Sequence, residues 1–405
     1  MLTPAAAEKL IHANMVPFPG EDCPLAEAHG RVLRSGIRAD RDLPPFDRVT
    51  LDGYALRASA LAAGTRTFRV EGTQAAGVIA QKLGPLADAC IEIMTGAVLP
   101  IGADCVVPYE NTTKTDATLT MTVNEMPGRE TMPGNAVHPR GSDQLAGNEI
   151  VRSGTRLGSR EIAVAAACGY ANLAVAAQPR IAVIATGDEL VEVGMPVGPH
   201  QVRRSNDYAL RAALVSAGYS RVERFHLRDV KAEIERQLSH VLAEFDVVLL
   251  SGGISKGKFD FLPTALATLG VTKVFQGVAQ RPGKPLWFGV SARRTPVFAL
   301  PGNPVSTYTC FLRYVLPALA HASGLTWPAP RLVALAAPFA FKAPLACFLP
   351  VRLSSGPAAQ LLADPGASNT SGDFSSLVAT DGFVELPADR DEFPAGSIVP
   401  FRPWC

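Results

Sequence analysis

Four glycine-containing loops constrain the fold of this chain most; they occupy residues 186–189, 251–260, 281–285 and 301–306. Short apolar runs lead into them, and the runs at 181–185, 245–250 and 296–300 lack the alternation of a half-buried strand. Such runs are typical of parallel strands that are buried on both faces. Ligands of open α/β sheets bind where the strands end. The pattern therefore predicts an α/β sheet whose loops form a ligand site.

The loop at residues 251–260 carries the strongest single signal. Its sequence, SGGISKGKFD, allows successive backbone N–H groups to form an anion-binding nest in front of a following helix. A tight strand-to-helix turn explains Gly252 and Gly253 but not Ser255 together with Asp260. We therefore expect this loop to bind an anion, with Asp260 within reach of a magnesium ion or a water molecule.

Charged side chains on the other loops extend this hypothesis. Arg281 and Lys284 flank a turn that two prolines make rigid, which favours an oxyanion site, although a solvated basic turn is the structural alternative. Either Asp188 or Glu189 holds a metal or a sugar hydroxyl, or the two acids complement the start of a helix. Asn303 binds a ligand or satisfies exposed backbone. Together the loops indicate an enzyme for an anionic, phosphorylated ligand with a divalent metal.

The composition excludes several functional classes. With 47% apolar and 19% charged residues and a net charge of +1, the chain is typical of an ordered globular protein, and no nucleic-acid partner is expected. Its seven cysteines are dispersed without CxxC spacing, as in reduced cytoplasmic proteins rather than disulfide frameworks or zinc sites. The longest apolar stretch, residues 162–177, is too short and interrupted to span a membrane. A cytoplasmic protein is therefore expected.

The order of these patterns along the chain predicts four domains. Residues 1–45 and 145–178 form a discontinuous N-terminal or linker domain, into which a β-rich domain at 46–144 is inserted. Alternating strand and helix patterns predict a doubly wound α/β domain at 179–328. Short strands between turns at 329–405 predict a small C-terminal β-barrel. The fold class is thus a multidomain α/β protein.

Taken in order, the motifs resemble those of the molybdenum insertase (molybdopterin molybdotransferase) family, which includes the gephyrin E domain. The matching segments span nearly the whole chain with family-like spacing: FDRVTLDGYA (46–55), IMTGAVLPIGADCVVPYE (93–110), RGSD (140–143), TGDEL (186–190), RSND (204–207), SGGISKGKFD (251–260), RPGKP (281–285), LPGNPVS (300–306) and SGDFSSL (371–377).

This resemblance implies an elongated homodimer whose active site lies between the α/β domain of one subunit and the β-rich domain of the other. It implies a reaction that consumes adenylylated molybdopterin and molybdate and releases AMP and the molybdenum cofactor, with the help of Mg²⁺. The residue chemistry agrees, because cleaving a phosphoanhydride needs a cation and carboxylates to hold it, and a tetrahedral dianion needs basic and hydroxyl donors.

The resemblance also assigns roles to individual residues. It places four residues at the molybdate: Arg281, Lys284, Arg352 and Ser371. It gives catalytic roles to Asp52, Asp260 and Glu189, of which Asp260 and Glu189 would hold the metal. The remaining substrate contacts would be Thr95, Asp143, Asp229, Ser251, Gly252, Gly253, Ser255, Pro301, Asn303 and Ser306.

The chain departs from the usual family motifs at a few positions. Arg48 and Val49 stand where relatives often carry an amide and a hydroxyl, and Gly277 stands where many carry a lysine. Arg204 replaces a frequent aspartate. These changes remove one carboxylate and one lysine and are expected to add two positive groups near the site.

Two alternative functions remain open. An adenylyltransferase of the preceding step would share the SGG…D loop, and it would use ATP instead of releasing AMP. A scaffold of the same fold would lack catalysis, although the retained acidic residues argue against it.

Overall fold

The computed structural model describes residues 1–122, 132–254, 261–366 and 371–404. The chain separates into two compact units. The first unit comprises Met1–Ser35, Ser153–Ser159 and Asn172–Cys405, and the second comprises Gly36–Arg152 and Arg160–Ala171. The finer division into four domains stays a prediction.

A six-stranded sheet forms the centre of the first unit. Its strands follow the order Val222–Leu227, Ile181–Thr186, Val247–Ser251, Pro296–Leu300, Trp287–Val290 and Thr272–Gln276. The first four are parallel, as predicted for the three apolar runs, so their carboxyl ends share one edge. The last two are antiparallel to their neighbours. Between residues 290 and 296 the chain makes a tight turn, closed by Ser291 and Thr295, whereas a parallel neighbour would need a long crossover.

Helices cover both faces of this sheet, which explains why its strands lack alternation. Ile181 and Val183 pack into one apolar cluster, and Ala182 and Ile184 pack into another on the opposite face. The first cluster includes side chains of Pro4–Asn14, Asn206–Ser216, Pro304–Cys310, the π-helical turn Phe311–Val315 and Leu316–Ser323. The second includes side chains of Lys231–Glu244 and Leu262–Thr268.

The C-terminal region of the first unit is a closed barrel of five strands, which confirms the predicted β-barrel. Around the barrel the strands are Ala346–Ser355, Leu361–Pro365, Arg331–Leu335, Ile398–Pro403 and Gly382–Leu386, and the last pairs again with the first. The sequence patterns missed Leu361–Pro365, because its Asp-Pro-Gly ending is typical of a turn. The short strand Gln280–Arg281 joins this barrel through parallel pairing with Ala346 and Cys347.

Smaller elements complete the first unit. They are strands Gly20–Pro24 and Asn172–Ala176, which pair with each other, strands Leu190–Val191 and Val202–Arg203, strands Phe339–Ala340 and Glu392–Phe393, the 3₁₀ turn Leu25–Glu27 and helix Ser375–Ala379.

The second unit is rich in β-structure, as the sequence predicted. Its main sheet has the strand order Cys105–Pro108, Gly53–Leu56, Ala89–Ile93, Thr67–Gln74, Thr118–Met121 and Thr112–Thr115. Two short pairs join Ile37–Arg38 to Glu149–Val151 and Arg48–Val49 to Val137–His138. Its helical segments are Ala58–Ala62, the 3₁₀ turn Tyr109–Asn111 and nearly all of Ser159–Ala167. No helix in the described parts of either unit is long and apolar enough to cross a membrane.

Candidate functional site

A cavity of about 1680 Å³ opens at the carboxyl edge of the parallel strands. Described residues of all four glycine-containing loops line it, and side chains of the C-terminal barrel region, including Phe341 and Phe348, line another part of its wall. The structure thus brings together most of the predicted site residues of the first unit: Glu189, Asp229, Ser251, Gly252, Gly253, Arg281, Lys284, Pro301, Asn303, Ser306 and Ser371. Ser255 and Asp260 lie outside the described residues.

The Gly252–Gly253 turn lies too close to its neighbours for side chains. Both glycines have positive φ angles, of 98° and 67°. A Cβ at Gly252 would lie 2.9 Å from the carbonyl oxygen of Thr186, and one at Gly253 would lie 2.3 Å from Leu262 Cδ1. Only glycine fits both positions, which leaves backbone exposed to the cavity.

Asn206 lines the cavity and contacts the loops that follow two adjacent strands, a role that the sequence patterns did not indicate. Its side-chain amide donates to Ser251 Oγ at 2.9 Å, to the Gly302 carbonyl at 2.7 Å and to Thr307 Oγ1 at 3.2 Å. The RSND motif contains this residue, but the contacts that give it importance come from two other loops. One side chain therefore fixes the spacing between the ends of two adjacent strands.

The loop at 301–306 also binds the segment that begins at Ser371. Asn303 Nδ2 donates to Ser371 Oγ at 2.7 Å, and the backbone N–H of Val305 donates to the Ser371 carbonyl at 3.1 Å. Ser371 is thereby held against the edge of the α/β sheet. Asn303 therefore holds Ser371 in place and also lines the cavity.

The basic turn presents two cations to the cavity. Arg281 and Lys284 are both exposed, and neither forms an ion pair with a carboxylate of the described residues. The backbone of Arg281 pairs with Cys347, whose pKa burial raises to about 12 against the opposing effect of the Arg281 charge. An anion entering the cavity therefore meets positive charge that no described side chain neutralises.

Arg352 lies apart from these two cations. Its Nε and Nη2 donate to the carbonyl oxygen of Ala379, at 3.3 and 3.1 Å, and it is not among the residues that line the cavity. The structure thus brings three of the four residues assigned to molybdate together. The assignment of Arg352 stays a prediction.

Three acidic residues line the cavity: Glu189, Asp229 and Asp207, of which Asp207 is paired with Arg204 and Arg224. Asp188 instead accepts a hydrogen bond from the Asp229 backbone at 3.2 Å and lies 3.5 Å from Arg228 Nε. His226 donates from Nε2 to the Gly187 carbonyl at 2.9 Å and holds the start of the loop. Of the two adjacent acids, Glu189 is therefore the one that lines the cavity.

Glu189 and Asp229 supply carboxylate oxygens, the ligand type that Mg²⁺ prefers, and an ion held there would need substrate phosphates and water to complete its coordination. Within the described ranges, no group of three or more histidine, cysteine, aspartate or glutamate side chains could hold a metal by itself.

Asp52, Thr95 and Asp143 belong to the second unit. Asp52 Oδ1 accepts from the backbone N–H of Thr95 at 2.6 Å and from its hydroxyl at 2.7 Å, and these bonds lower the pKa of Asp52. The predicted residues Asp52 and Thr95 are thus in direct contact with each other.

Asp143 is held by a chain of side chains that includes one departure from the family motif. Arg48 Nη2 lies 3.2 Å from His138 Nδ1, and His138 Nε2 lies 2.9 Å from Asp143 Oδ1. Because arginine can only donate, Nδ1 must accept, so the imidazole carries its proton on Nε2 and donates it to Asp143. The neighbouring Val49 is buried and packs in an apolar cluster of the same unit.

The structure corrects the expectation that Arg204 adds positive charge to the site. Its guanidinium is buried and donates to Glu192 Oε2 at 2.7 Å and to Asp207 Oδ2 at 2.5 Å. Asp207 also accepts from Arg224 Nη1 at 2.9 Å. The charge of Arg204 is therefore compensated within the protein. Gly277, the other departure in this unit, has a φ of 87°, which would strain a lysine there.

Comparison with known protein families agrees with this geometry. The model described as MoeA N-terminal region (domain I and II) matches residues 2–169. The model described as probable molybdopterin binding domain matches residues 182–321, and the one described as MoeA C-terminal region (domain IV) matches residues 333–404.

Individual proteins show the same relationship over their full length. The molybdopterin molybdenumtransferase of Synechocystis sp. is 42% identical over 405 residues, which is 100% of both chains. The protein of that name from Haemophilus influenzae is 30% identical, with 98% of this chain and 97% of that protein covered. The crystal structure of the molybdopterin biosynthesis MoeA protein from Pyrococcus horikoshii superposes with a TM-score of 0.82 at 26% identity and covers 100% of each chain. The chain therefore belongs to the molybdopterin molybdenumtransferase (MoeA) family.

Proposed function

We propose that this protein is a molybdopterin molybdotransferase of molybdenum cofactor biosynthesis, which inserts molybdenum from molybdate into adenylylated molybdopterin and releases AMP. The observation that carries this proposal is the cavity itself. It combines two cations that lack a carboxylate partner among the described residues with a glycine turn and two acidic side chains, in a chain of this family.

Molybdate would bind on the basic side of the cavity. Arg281 and Lys284 supply charge-assisted donors, and the hydroxyl of Ser371 lies in the same cavity. Asn303 holds that serine from the neighbouring loop. A small tetrahedral dianion matches this set of donors, because it needs several hydrogen bonds but little apolar contact.

The phosphates of the nucleotide-bearing substrate would bind along the strand ends. The backbone at Gly252 and Gly253 is open to the cavity, and glycine allows an anion to approach it closely. Asn206 fixes this turn relative to the 301–306 loop, so one side chain sets the spacing of the two loops that would face the phosphates.

The acidic side chains would hold Mg²⁺. Glu189 and Asp229 lie in the cavity, and Asp260 is assigned to the same role by its motif. The bound ion would offset the negative charge that develops when the phosphoanhydride is cleaved.

We further propose that the protein is cytoplasmic and that it forms a homodimer. The motifs that contain Asp52, Thr95 and Asp143 lie in a different compact unit from the cavity, and in a twofold dimer a partner could supply them. Mixing Asp52→Asn and Asp260→Asn, each inactive alone, should restore part of the activity through mixed dimers. A monomeric mass at assay concentration, or no recovery after subunit exchange, would contradict this arrangement.

The central experiment is reconstitution of the purified protein with adenylylated molybdopterin, Mg²⁺ and molybdate, with AMP and active cofactor as readouts. Release of AMP that depends on molybdate supports insertion. Formation of adenylylated molybdopterin from ATP and molybdopterin would indicate the preceding step instead. Substrate binding without either reaction would indicate a scaffold. Replacing molybdate by tungstate measures the preference for the oxyanion.

A further inference from the structure

The basic turn that carries Arg281 and Lys284 rests on a buried polar cluster. Gln280 directly precedes the turn and is completely buried. Its Nε2 lies 3.2 Å from the Pro282 carbonyl and 3.4 Å from Cys310 Sγ, and its Oε1 accepts a hydrogen bond from the Tyr314 hydroxyl. Burying an amide is costly unless both of its ends are paired, and here both are.

The orientation of the Gln280 amide follows from its partners. The Pro282 carbonyl can only accept, so the group that faces it must be the NH₂. The oxygen of the amide then faces Tyr314, whose hydroxyl must donate. Burial raises the pKa of Tyr314, which keeps that hydroxyl protonated. The Pro282 carbonyl therefore determines which end of Gln280 faces the turn, and the Tyr314 hydroxyl pairs the other end.

Cys310 supports the turn from the same side. Burial raises the pKa of its thiol to about 12, so the thiol stays protonated, and it lies 3.8 Å from the Gly283 carbonyl. A Cβ at Gly283 would lie 2.4 Å from Cys310 Sγ and 2.7 Å from Gln280 Nε2. Only a glycine allows the turn to pack this closely. Both carbonyls between Arg281 and Lys284 thus contact buried side chains.

Cys310 and Tyr314 come from the helical segment that also begins at the cavity. Pro304–Cys310 starts at the 301–306 loop, and Tyr314 lies in the π-helical turn Phe311–Val315 that follows it. Such turns occur frequently at functional sites. The same segment therefore supports the basic turn from below and carries Ser306 at its cavity end.

We infer that Gln280, Cys310 and Tyr314 are positioning residues, which hold Arg281 and Lys284 at the separation that the oxyanion requires. The inference rests on the proposed function, because it takes molybdate as the ligand of the basic turn. Tyr314 never touches the ligand in this role. It acts through Gln280 and the Pro282 carbonyl.

The test compares two tyrosine-to-phenylalanine variants. Tyr314→Phe removes the hydroxyl that donates to the Gln280 oxygen and keeps the ring. Tyr219→Phe is the matched control: its hydroxyl is also buried, lies 3.2 Å from Ser323 Oγ, packs in the same apolar cluster and is not part of the cavity wall. Each variant loses one buried, hydrogen-bonded hydroxyl.

We expect Tyr314→Phe to raise the molybdate concentration for half-maximal AMP release roughly fivefold, which corresponds to one lost hydrogen bond. The dependence on adenylylated molybdopterin should stay within about twofold of wild type, and Tyr219→Phe should leave both dependences unchanged. Gln280→Met, which removes all three polar contacts of the amide, should raise the molybdate requirement further than Tyr314→Phe.

The outcomes distinguish a failure of the positioning role from a failure of the proposed molybdotransferase function. If wild-type protein releases AMP normally and Tyr314→Phe shows an unchanged molybdate requirement, the positioning role is wrong and the proposed function stands. An equal shift in Tyr219→Phe would show that the effect is general loss of stability, which also contradicts the positioning role. Wild-type protein without molybdate-dependent AMP release would contradict the proposed function, and the positioning role with it.

Discussion

The basic turn, residues 281–285, and the Arg204 cluster, formed by Arg204, Arg224, Glu192 and Asp207, each bring a cationic side chain to the cavity. They differ in whether carboxylates of the protein pair with those cations. Arg281 and Lys284 are exposed and have no ion-pair partner among the described residues. Arg204 is buried between Glu192 and Asp207. The first region can neutralise a ligand, whereas the second is already neutralised by the protein. The availability of a charge therefore depends on its partners more than on its presence in a motif.

The largest expected effect is a loss of unfolding free energy when the Arg204 cluster is broken. Asp207→Ala leaves the buried guanidinium of Arg204 without its inner partner and weakens the contact of Arg224. Breaking a buried ion pair from one side destabilises a protein by about 3–5 kcal/mol. Denaturant unfolding of the purified variant measures this loss.

Asp188→Asn is the control for that variant, because its ion pair with Arg228 is exposed. Pairs of this kind contribute at most about 1 kcal/mol. Similar stabilities of the two variants would show that burial does not distinguish the pairs, and the comparison of the two regions would then be wrong.

The next effect is on ligand binding, at the exposed turn. Lys284→Ala removes one charge-assisted donor, worth roughly 1.5–3 kcal/mol, so the molybdate concentration for half-maximal AMP release should rise about 10- to 100-fold. Stability should change little, since the side chain is exposed. Lys273→Ala, on an exposed position of the sheet that does not line the cavity, is the matched control. Loss of pterin binding with normal molybdate dependence would assign the turn to the phosphates instead.

A smaller effect is expected for Arg352→Ala, because its guanidinium already donates to the Ala379 carbonyl. The molybdate requirement should rise less than in Lys284→Ala, in the same AMP assay. A rise as large as that of Lys284→Ala would mean that Arg352 leaves Ala379 when the oxyanion binds. That result would restore all four predicted residues to one site.

The smallest expected effect is on the pKa of Asp52, an exposed carboxylate that accepts two hydrogen bonds from Thr95. The bonds from Thr95 lower the pKa of Asp52 in the folded protein. The stabilisation from these bonds is therefore complete above the ordinary aspartate pKa and is lost as the pH falls through the lowered value. Thr95→Ala keeps the backbone bond and removes the hydroxyl, so the Asp52 pKa should rise, as measured by NMR titration. Asp42, whose pKa is lowered by Ala146 and Arg140, should not shift.

The sequence predicted those features that local patterns determine. The apolar runs correctly located three adjacent parallel strands, and the loops after them do meet in one cavity. Asn206, Gln280 and the partners of Arg204 escaped prediction for one reason. Their importance comes from contacts with residues far along the chain, and no local period or motif encodes which distant carboxylate or carbonyl a side chain will meet.

The strand Gln280–Arg281 limits how the C-terminal barrel can be exchanged between members of the family. Its pairing with Ala346 and Cys347 makes it a sixth strand beside an otherwise closed barrel, although it belongs in sequence to the α/β region. A C-terminal barrel transplanted from a relative would have to offer the same edge in the same register, or the basic turn would lose one of its two anchors. The barrel is therefore exchangeable only together with strand Gln280–Arg281, and a graft joined at the predicted border between residues 328 and 329 would separate that strand from its pairing partner.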